Sequence, residues 1–234
     1  EIEIEKLGSI PKIDDPSGWE SFVATRFIFN SEDDKAKPII QEGRNVKIRT
    51  KAFSKGAMRV AYFMYDGDKL FVAKESLFKS KNNSLDFHRR DTFSQIVARR
   101  HAVEFNKQLW QGGVRKNFID YAPTFVYYIK SRTKGTVVSA EPFLGVGDFV
   151  KYNVNDGTEI PCDNLASASA FSHFTYANSE QELIVLDVQG VGNVFTDPQI
   201  CTMENTDKFG AGNLGEEAIE MFFASHRCNH CARR

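Results

Sequence analysis

Residues 183–199 read Leu-Ile-Val-Leu-Asp-Val-Gln-Gly-Val-Gly-Asn-Val-Phe-Thr-Asp-Pro-Gln, and this stretch decides the fold. Leu183 to Leu186 is an unbroken apolar run that predicts a buried strand ending at Asp187. Strand alternation points Asp187 and Gln189 the same way, and a returning turn at Asp197-Pro198-Gln199 can bring a second carboxylate alongside them. Carboxylate and amide oxygens converging at a strand end suit a hard divalent cation such as magnesium, which phosphoryl transfer uses to neutralise phosphate charge. The same residues equally suit a plain structural reading, in which Asp197-Pro198 starts a turn and Asp187 caps a strand end.

Outward from that stretch the chain alternates strands and helices. Upstream, residues 46–49, 60–65 and 70–74 read as strands, the last two joined by the hairpin signal Asp66-Gly67-Asp68. Residues 91–109 carry Phe93, Ile96, Val97, Val103 and Phe105 near helical spacing, with Asp91 as the expected cap and Gly112-Gly113 as the expected end. Strands follow at 124–129 and 136–140 around a turn at 131–135. After the break Gly145-Val146-Gly147 come a helix from 165 to 176, strands at 182–187 and 194–195, and a helix from 216 to 226 with Ile219, Phe222 and Phe223 on one face. The order predicts a bilobal α+β chain hinged near 141–147. Residues 1–44 are expected to be an N-terminal arm or extension, an irregular stretch followed by an edge element; 45–140 form the first lobe and 141–234 the second.

Composition narrows the function classes. The 234 residues are 41% hydrophobic, which excludes a disordered or fibrous chain. With 30 Lys and Arg against 31 Asp and Glu, the net charge is -1, so no global basic field exists to hold nucleic acid or an acidic membrane. Apolar runs only a few residues long fall far short of the roughly 20 that span a bilayer. The opening Glu-Ile-Glu-Ile-Glu-Lys has neither an initiator Met nor a signal region, which predicts a piece of a longer protein whose flanking regulatory domains lie outside this sequence. Of Cys162, Cys201, Cys228 and Cys231, the last two cluster with His226 and His230, favouring metal over disulfide and a reducing, cytoplasmic setting.

Three further segments carry chemistry. Lys74 ends an apolar strand that follows the glycine-containing segment 54–59, a pattern that can grip phosphate oxygens, although most lysines in that position are solvated surface groups. Residues 210–215, Gly-Ala-Gly-Asn-Leu-Gly, match the dinucleotide fingerprint but lie near the C-terminal end, without the strand before and acidic residue after that a dinucleotide fold needs. His226-Arg227-Cys228-Asn229-His230-Cys231 can supply three of the four tetrahedral positions of zinc, with His173 the best remote candidate for the fourth. The alternative there is a frayed tail with free thiols.

Taken in order, Lys55-Gly56-Ala57-Met58-Arg59, Phe71-Val72-Ala73-Lys74, Lys151-Tyr152-Asn153, residues 170–176, 183–191, 196–200, 209–215 and Ser225-His226-Arg227-Cys228-Asn229 resemble the atypical alpha-kinase family, over roughly residues 45 to 231. The resemblance implies a bilobal atypical protein-kinase-like fold, with a nucleotide-binding first lobe and a catalytic second lobe stabilised by structural zinc. It implies that Lys74 contacts the ATP phosphates, that Gly56 and Arg59 cover them, and that Glu141 and Leu144 hold adenine at the hinge. It further implies that Asp187 is the catalytic aspartate, that Gln189 and Asp197 bind magnesium, and that Lys151 is a further basic residue of the active site. Gly210, Gly212, Asn213 and Gly215 would lie by the peptide substrate, and His173, His226, Cys228 and Cys231 would hold zinc. Two departures stand out: only Asn229 and His230 separate Cys228 from Cys231, one residue short of the family spacing, which makes His230 a substitute ligand; and Cys201 replaces the usual His after Asp-Pro-Gln-Ile.

The implied function is a magnesium-dependent serine/threonine kinase that uses ATP on a protein such as myosin heavy chain or a translation factor. The signatures His-Arg-Asp and Asp-Phe-Gly of conventional kinases are absent. The alternative is a catalytically silent kinase-like interaction module, which would have no need for Lys74, Asp187, Gln189 and Asp197 together.

Overall fold

Five strands precede the first helix: β1 (Trp19–Ile28), β2 (Ile39–Arg49), β3 (Ser54–Lys55), β4 (Arg59–Asp66) and β5 (Lys69–Ser76). They are followed by α1 (Leu85–Gln111), β6 (Asp120–Tyr121), β7 (Phe125–Ile129) and β8 (Thr136–Pro142). The computed structural model describes residues 2, 4, 5, 10–14, 18–31, 33, 36–78, 84–130, 136–163, 165–204 and 207–227. The chain divides into two compact units, one of Glu1–Thr92 with Pro123–Phe143 and the other of Phe93–Ala122 with Leu144–Arg234.

The first unit is an antiparallel sheet in the order β2-β1-β7-β8-β5-β4-β3. Val46, Lys47 and Ile48 of β2 also pair with Asp66, Tyr65 and Met64 of β4, so the sheet closes on itself and its principal strands have no open edge. Ala24, Val46, Ile48, Met64, Phe71, Ala73, Tyr127, Ile129, Val138 and Ala140 fill one face as a single cluster. Strand alternation therefore puts Val72, Lys74, Ser139 and Glu141 on the other face of β5 and β8. Where β2 meets β4, buried Asp66 accepts hydrogen bonds from Arg26 (3.0 Å), Arg44 (2.7 Å) and the Tyr127 hydroxyl (2.8 Å).

Residues 1–44, expected as an arm with an edge element, contain β1 and the opening of β2. β1 is an internal strand, paired with β2 on one side and β7 on the other. α1 begins six residues before the expected start because Ser84, not Asp91, caps it: the Ser84 hydroxyl accepts the Phe87 N–H at 3.2 Å. Asp91 lies within the helix. The end forms as expected, with Gly113 at a φ of 83°, its N–H on the Trp110 carbonyl and the Val114 N–H on that of Leu109. From Phe93 onward α1 belongs to the second unit, whereas the reading put all of 45–140 in the first lobe.

The second unit adds β9 (Phe149–Lys151), α2 (Leu165–Asn178), β10 (Leu183–Leu186), β11 (Gln189–Val191), β12 (Val194–Phe195), β13 (Gln199–Thr202) and α3 (Glu216–Ser225). β6-β12-β11-β9 form one sheet and β10-β13 another. Val185 of β10 joins the cluster of Phe93, Val97, Phe105, Tyr121, Phe171 and Phe195, while Ile184 and Leu186 join Cys201, Ala218, Ile219 and Phe222. Burial on both faces explains why 183–186 is uniformly apolar. No helix of the described residues is long and apolar enough to cross a membrane.

Removing the carboxylate that Arg26, Arg44 and Tyr127 share leaves the buried Tyr127 hydroxyl and two part-buried guanidinium groups without their common acceptor. Asp66→Ala should lower the unfolding free energy by about 3 kcal/mol, measured by urea denaturation of the purified chain; a loss below about 1 kcal/mol would show that this network does not hold the barrel closed.

Candidate active site

Asp187 follows β10 with a φ of 55°, so its backbone leaves the strand in the left-handed region. Buried Asn153 fixes this turn by accepting the Val188 N–H at 2.8 Å while donating to the Ser172 hydroxyl of α2 at 3.1 Å, and the Val188 carbonyl accepts the Tyr152 N–H at 2.8 Å. Lys151 lies opposite Gln189 in the β9–β11 pairing, and both reach Asp187: Lys151 Nζ is 2.5 Å from Oδ1, and Gln189 Nε2 donates to Oδ2 at 3.0 Å. The Thr196 N–H donates to the Gln189 carbonyl at 2.9 Å, which brings back the turn carrying Asp197 at a φ of 50°. Burial raises the Asp187 carboxyl above its ordinary range, Lys151 opposes that rise, and Asp197 adds to it. Lys151 and Gln189 thus meet at the Asp187 carboxylate, and Asp197 lies near enough to act on its charge.

In the first unit, Lys74 and Glu141 lie diagonally across β5 and β8 and form a buried ion pair, Nζ to Oε1 at 2.5 Å. The Glu141 carboxylate, assigned to adenine by the resemblance, thus faces Lys74. The Gly56 N–H closes the β3–β4 turn on the Arg59 carbonyl at 2.9 Å, and Arg59 is 2.6 Å from Asp91. The Phe143 N–H is held by the Leu70 carbonyl at 2.9 Å, and Leu144 opens the second unit.

The glycine segment turns back on itself. Asn213 is buried, its Oδ1 accepting the N–H groups of Thr202 and Gly215, both at 3.0 Å, and its Nδ2 donating to the Thr202 hydroxyl at 2.8 Å. Asn213 therefore anchors the loop from inside, and Leu214 beside it is 44% exposed. Cys201 is buried in the second unit, where its Sγ lies 3.5 Å from the Asn155 carbonyl; burial raises the thiol above its ordinary range.

His173 Nδ1 and His226 Nε2 face each other at 3.2 Å, and His226 Nδ1 is 3.3 Å from Glu159 Oε1. Burial, then His226, lowers His173 below the ordinary imidazole range. Among the described residues no group of three or more His, Cys, Asp and Glu could hold a metal, and Cys228, His230 and Cys231 lie outside them. The zinc-stabilised lobe is thus a pair of facing histidines in the described structure, without a complete ligand set.

Asn153 and Gln95 were missed as supporting residues by the sequence reading. Gln95, buried in α1, accepts the Asp197 N–H at 3.2 Å and donates to the Ala122 carbonyl.

These features are those of a kinase-like α+β fold. The alpha-kinase family profile matches residues 54–232, and the chain belongs to that family. It is 35% identical to alpha-protein kinase 1 of Dictyostelium discoideum over 91% of this chain and 15% of that protein. It is 33% identical to myosin heavy chain kinase B of the same organism, over 79% of this chain and 24% of that protein, and 34% identical to eukaryotic elongation factor 2 kinase of Rattus norvegicus, over 79% and 26%. The chain thus spans less than a third of the length of these relatives. The alpha-kinase domain of myosin heavy chain kinase A in complex with AMP superposes with a TM-score of 0.77 at 28% identity, covering 91% of this chain and 98% of that one. The ADP complex of the same domain gives 0.76 at 28%, covering 90% and 94%.

Asn153→Ala leaves the buried Val188 N–H without its acceptor, so it should cost about 1–3 kcal/mol of unfolding free energy by denaturant titration; no measurable loss would mean that the turn is held by other groups.

Proposed function

We propose that this chain transfers the γ-phosphoryl group of ATP to a serine or threonine hydroxyl of a protein substrate. The observation that carries the proposal is the convergence of Lys151, Asp187, Gln189 and Asp197 on two left-handed turns of one unit. A silent interaction module has no use for a half-buried aspartate whose carboxyl is pushed up by desolvation and a second carboxylate, so the enzyme reading is preferred.

In this reading Asp187 orients the acceptor hydroxyl and takes its proton, while Lys151 keeps Asp187 ionised and directs one carboxylate oxygen. Gln189, its Nε2 committed to Asp187, offers Oε1, and Asp197 offers its carboxylate, to magnesium; this hard-oxygen set fits that ion. Bound magnesium would offset the charge that develops on the transferred group. In the first unit Lys74, fixed by Glu141, supplies a point charge for phosphate oxygens, with Gly56 and Arg59 in the covering turn. With its carboxylate on Lys74, Glu141 would meet adenine through its main chain, next to Leu144. Asn213 holds the 210–215 segment in place for the substrate peptide.

The facing histidines fit a structural zinc: with Glu159 accepting the Nδ1 proton of His226, its Nε2 keeps the lone pair that a metal needs. Cys228 and Cys231, or His230, would complete the set with His173 and His226. Relatives named for myosin heavy chain and for elongation factor 2 support a cytoplasmic protein substrate of that kind.

Asp187→Asn should lower kcat by about 100- to 10,000-fold with ATP affinity nearly unchanged. Unchanged turnover in a radiolabelled-ATP assay with a threonine-containing peptide or with autophosphorylation would remove the kinase reading. Because Lys151 opposes the rise of the Asp187 carboxyl, Lys151→Met should raise it further and move the acid limb of the kcat profile to higher pH; a shift to lower pH would contradict that pairing. Atomic emission should find about one zinc per purified chain, and less than about half an equivalent would discard the zinc site.

A further inference from the structure

We propose that Gln95 is a positioning residue for the cation site, holding Asp197 in the backbone conformation from which its carboxylate meets magnesium. The inference rests on the magnesium reading of Asp197 given above. Gln95 is 4% exposed, on the face of α1 that also buries Ser94, Val97 and Ala98. Its two amide ends serve two different chain segments: Oε1 accepts the Asp197 N–H at 3.2 Å, and Nε2 donates to the Ala122 carbonyl. The second bond fixes which way the amide points, so the first presents a directed acceptor to Asp197.

The direction of an N–H is set by rotation about φ, and Asp197 stands at a φ of 50°, which an L-residue adopts only against a steric cost. Pro198 disfavours the right-handed helical alternative at the residue before it. A fixed acceptor for the Asp197 amide then selects the left-handed state. Water could also accept the N–H, but it would not fix the angle. The rigid partner is what converts a flexible turn into a placed ligand.

The test is isothermal titration calorimetry of ATP, as its non-hydrolysable β,γ-imido analogue, into the chain, once with EDTA and once with saturating magnesium chloride, so that the gain in affinity due to magnesium is read without turnover. Gln95→Met keeps volume and helix propensity and removes both hydrogen bonds. It should bind ATP in EDTA within about twofold of wild type, and lose about 10- to 100-fold of the magnesium-dependent gain. Asn106→Ala is the control: Asn106 clamps Ile119 from the same helix, Nδ2 to the carbonyl at 2.7 Å and Oδ1 to the N–H at 2.9 Å, without touching Asp197. It should keep the full gain. Retention of the gain in Gln95→Met, or an equal loss of the gain in Asn106→Ala, would overturn the proposal. Should Gln95→Met not fold, Gln95→Leu, which also removes the acceptor facing Asp197 and the donor to Ala122, takes its place with the same expected loss, and retention of the gain counts against the proposal. No gain in the wild-type chain would remove the magnesium reading and this inference with it, whereas a normal wild-type gain that persists in Gln95→Met removes this inference alone.

Discussion

Two aspartates held in left-handed backbone, Asp187 at a φ of 55° and Asp197 at 50°, are the constraint around which the second unit is arranged. Such a conformation costs an L-residue roughly 1–2 kcal/mol, though less for aspartate, whose short polar side chain can bond locally. Asp187 is half-buried as well, near a second carboxylate, and its carboxyl is raised accordingly. A sequence selected for stability alone would place neither group there. What offsets the cost is a set of hydrogen bonds from fixed partners: Asn153 on the Val188 N–H, the Gln189 amide and the Lys151 ammonium on the Asp187 carboxylate, and the Gln189 carbonyl on the Thr196 N–H.

Those partners are fixed because β10 is buried on both faces. Val185 is enclosed by the cluster that contains Phe171 and Phe195, and Ile184 and Leu186 by the one that contains Ile219 and Phe222. A strand gripped from both sides has little freedom to shift register, since a one-residue slip would exchange its two cores. Asp187 therefore inherits its position from apolar burial. In the first unit the logic is similar: interior alternation of Phe71, Ala73, Val138 and Ala140 leaves Lys74 and Glu141 to meet on the opposite face.

The sequence made visible whatever is decided locally. The apolar run 183–186, the Asp66-Gly67-Asp68 hairpin and the glycine end of α1 each depend on neighbours a few residues away, and each formed. β1 was hidden because its place is set by β7, a strand about a hundred residues later, and nothing in Trp19–Ile28 itself announces that pairing. Lys74 was legible as a polar residue ending an apolar strand and Glu141 only through the family resemblance, but their ion pair joins positions 67 residues apart, so they were read as separate contacts to nucleotide. Gln95 and Asn153 were illegible for the same reason. A polar side chain within a helix or strand looks like solvent-facing surface until the partner that buries it is known.

One hairpin links the supports of the Asp187 turn to the histidine pair. Asn153 and Glu159 pair directly across it, Asn153 reaching the Val188 N–H and Glu159 reaching His226. At its tip Gly157, at a φ of 91°, lies so close to α3 that a β-carbon there would be 2.6 Å from the Phe222 nitrogen. α2 closes the circuit from the other side, since Ser172 receives Asn153 and the next residue, His173, faces His226. The left-handed turn at Asp187 and the two histidines thus share a single pair of residues on one hairpin and a single pair on one helix. The turn at Asp187 and the facing histidines are held by the same hairpin and the same helix, so that order at one is coupled to order at the other.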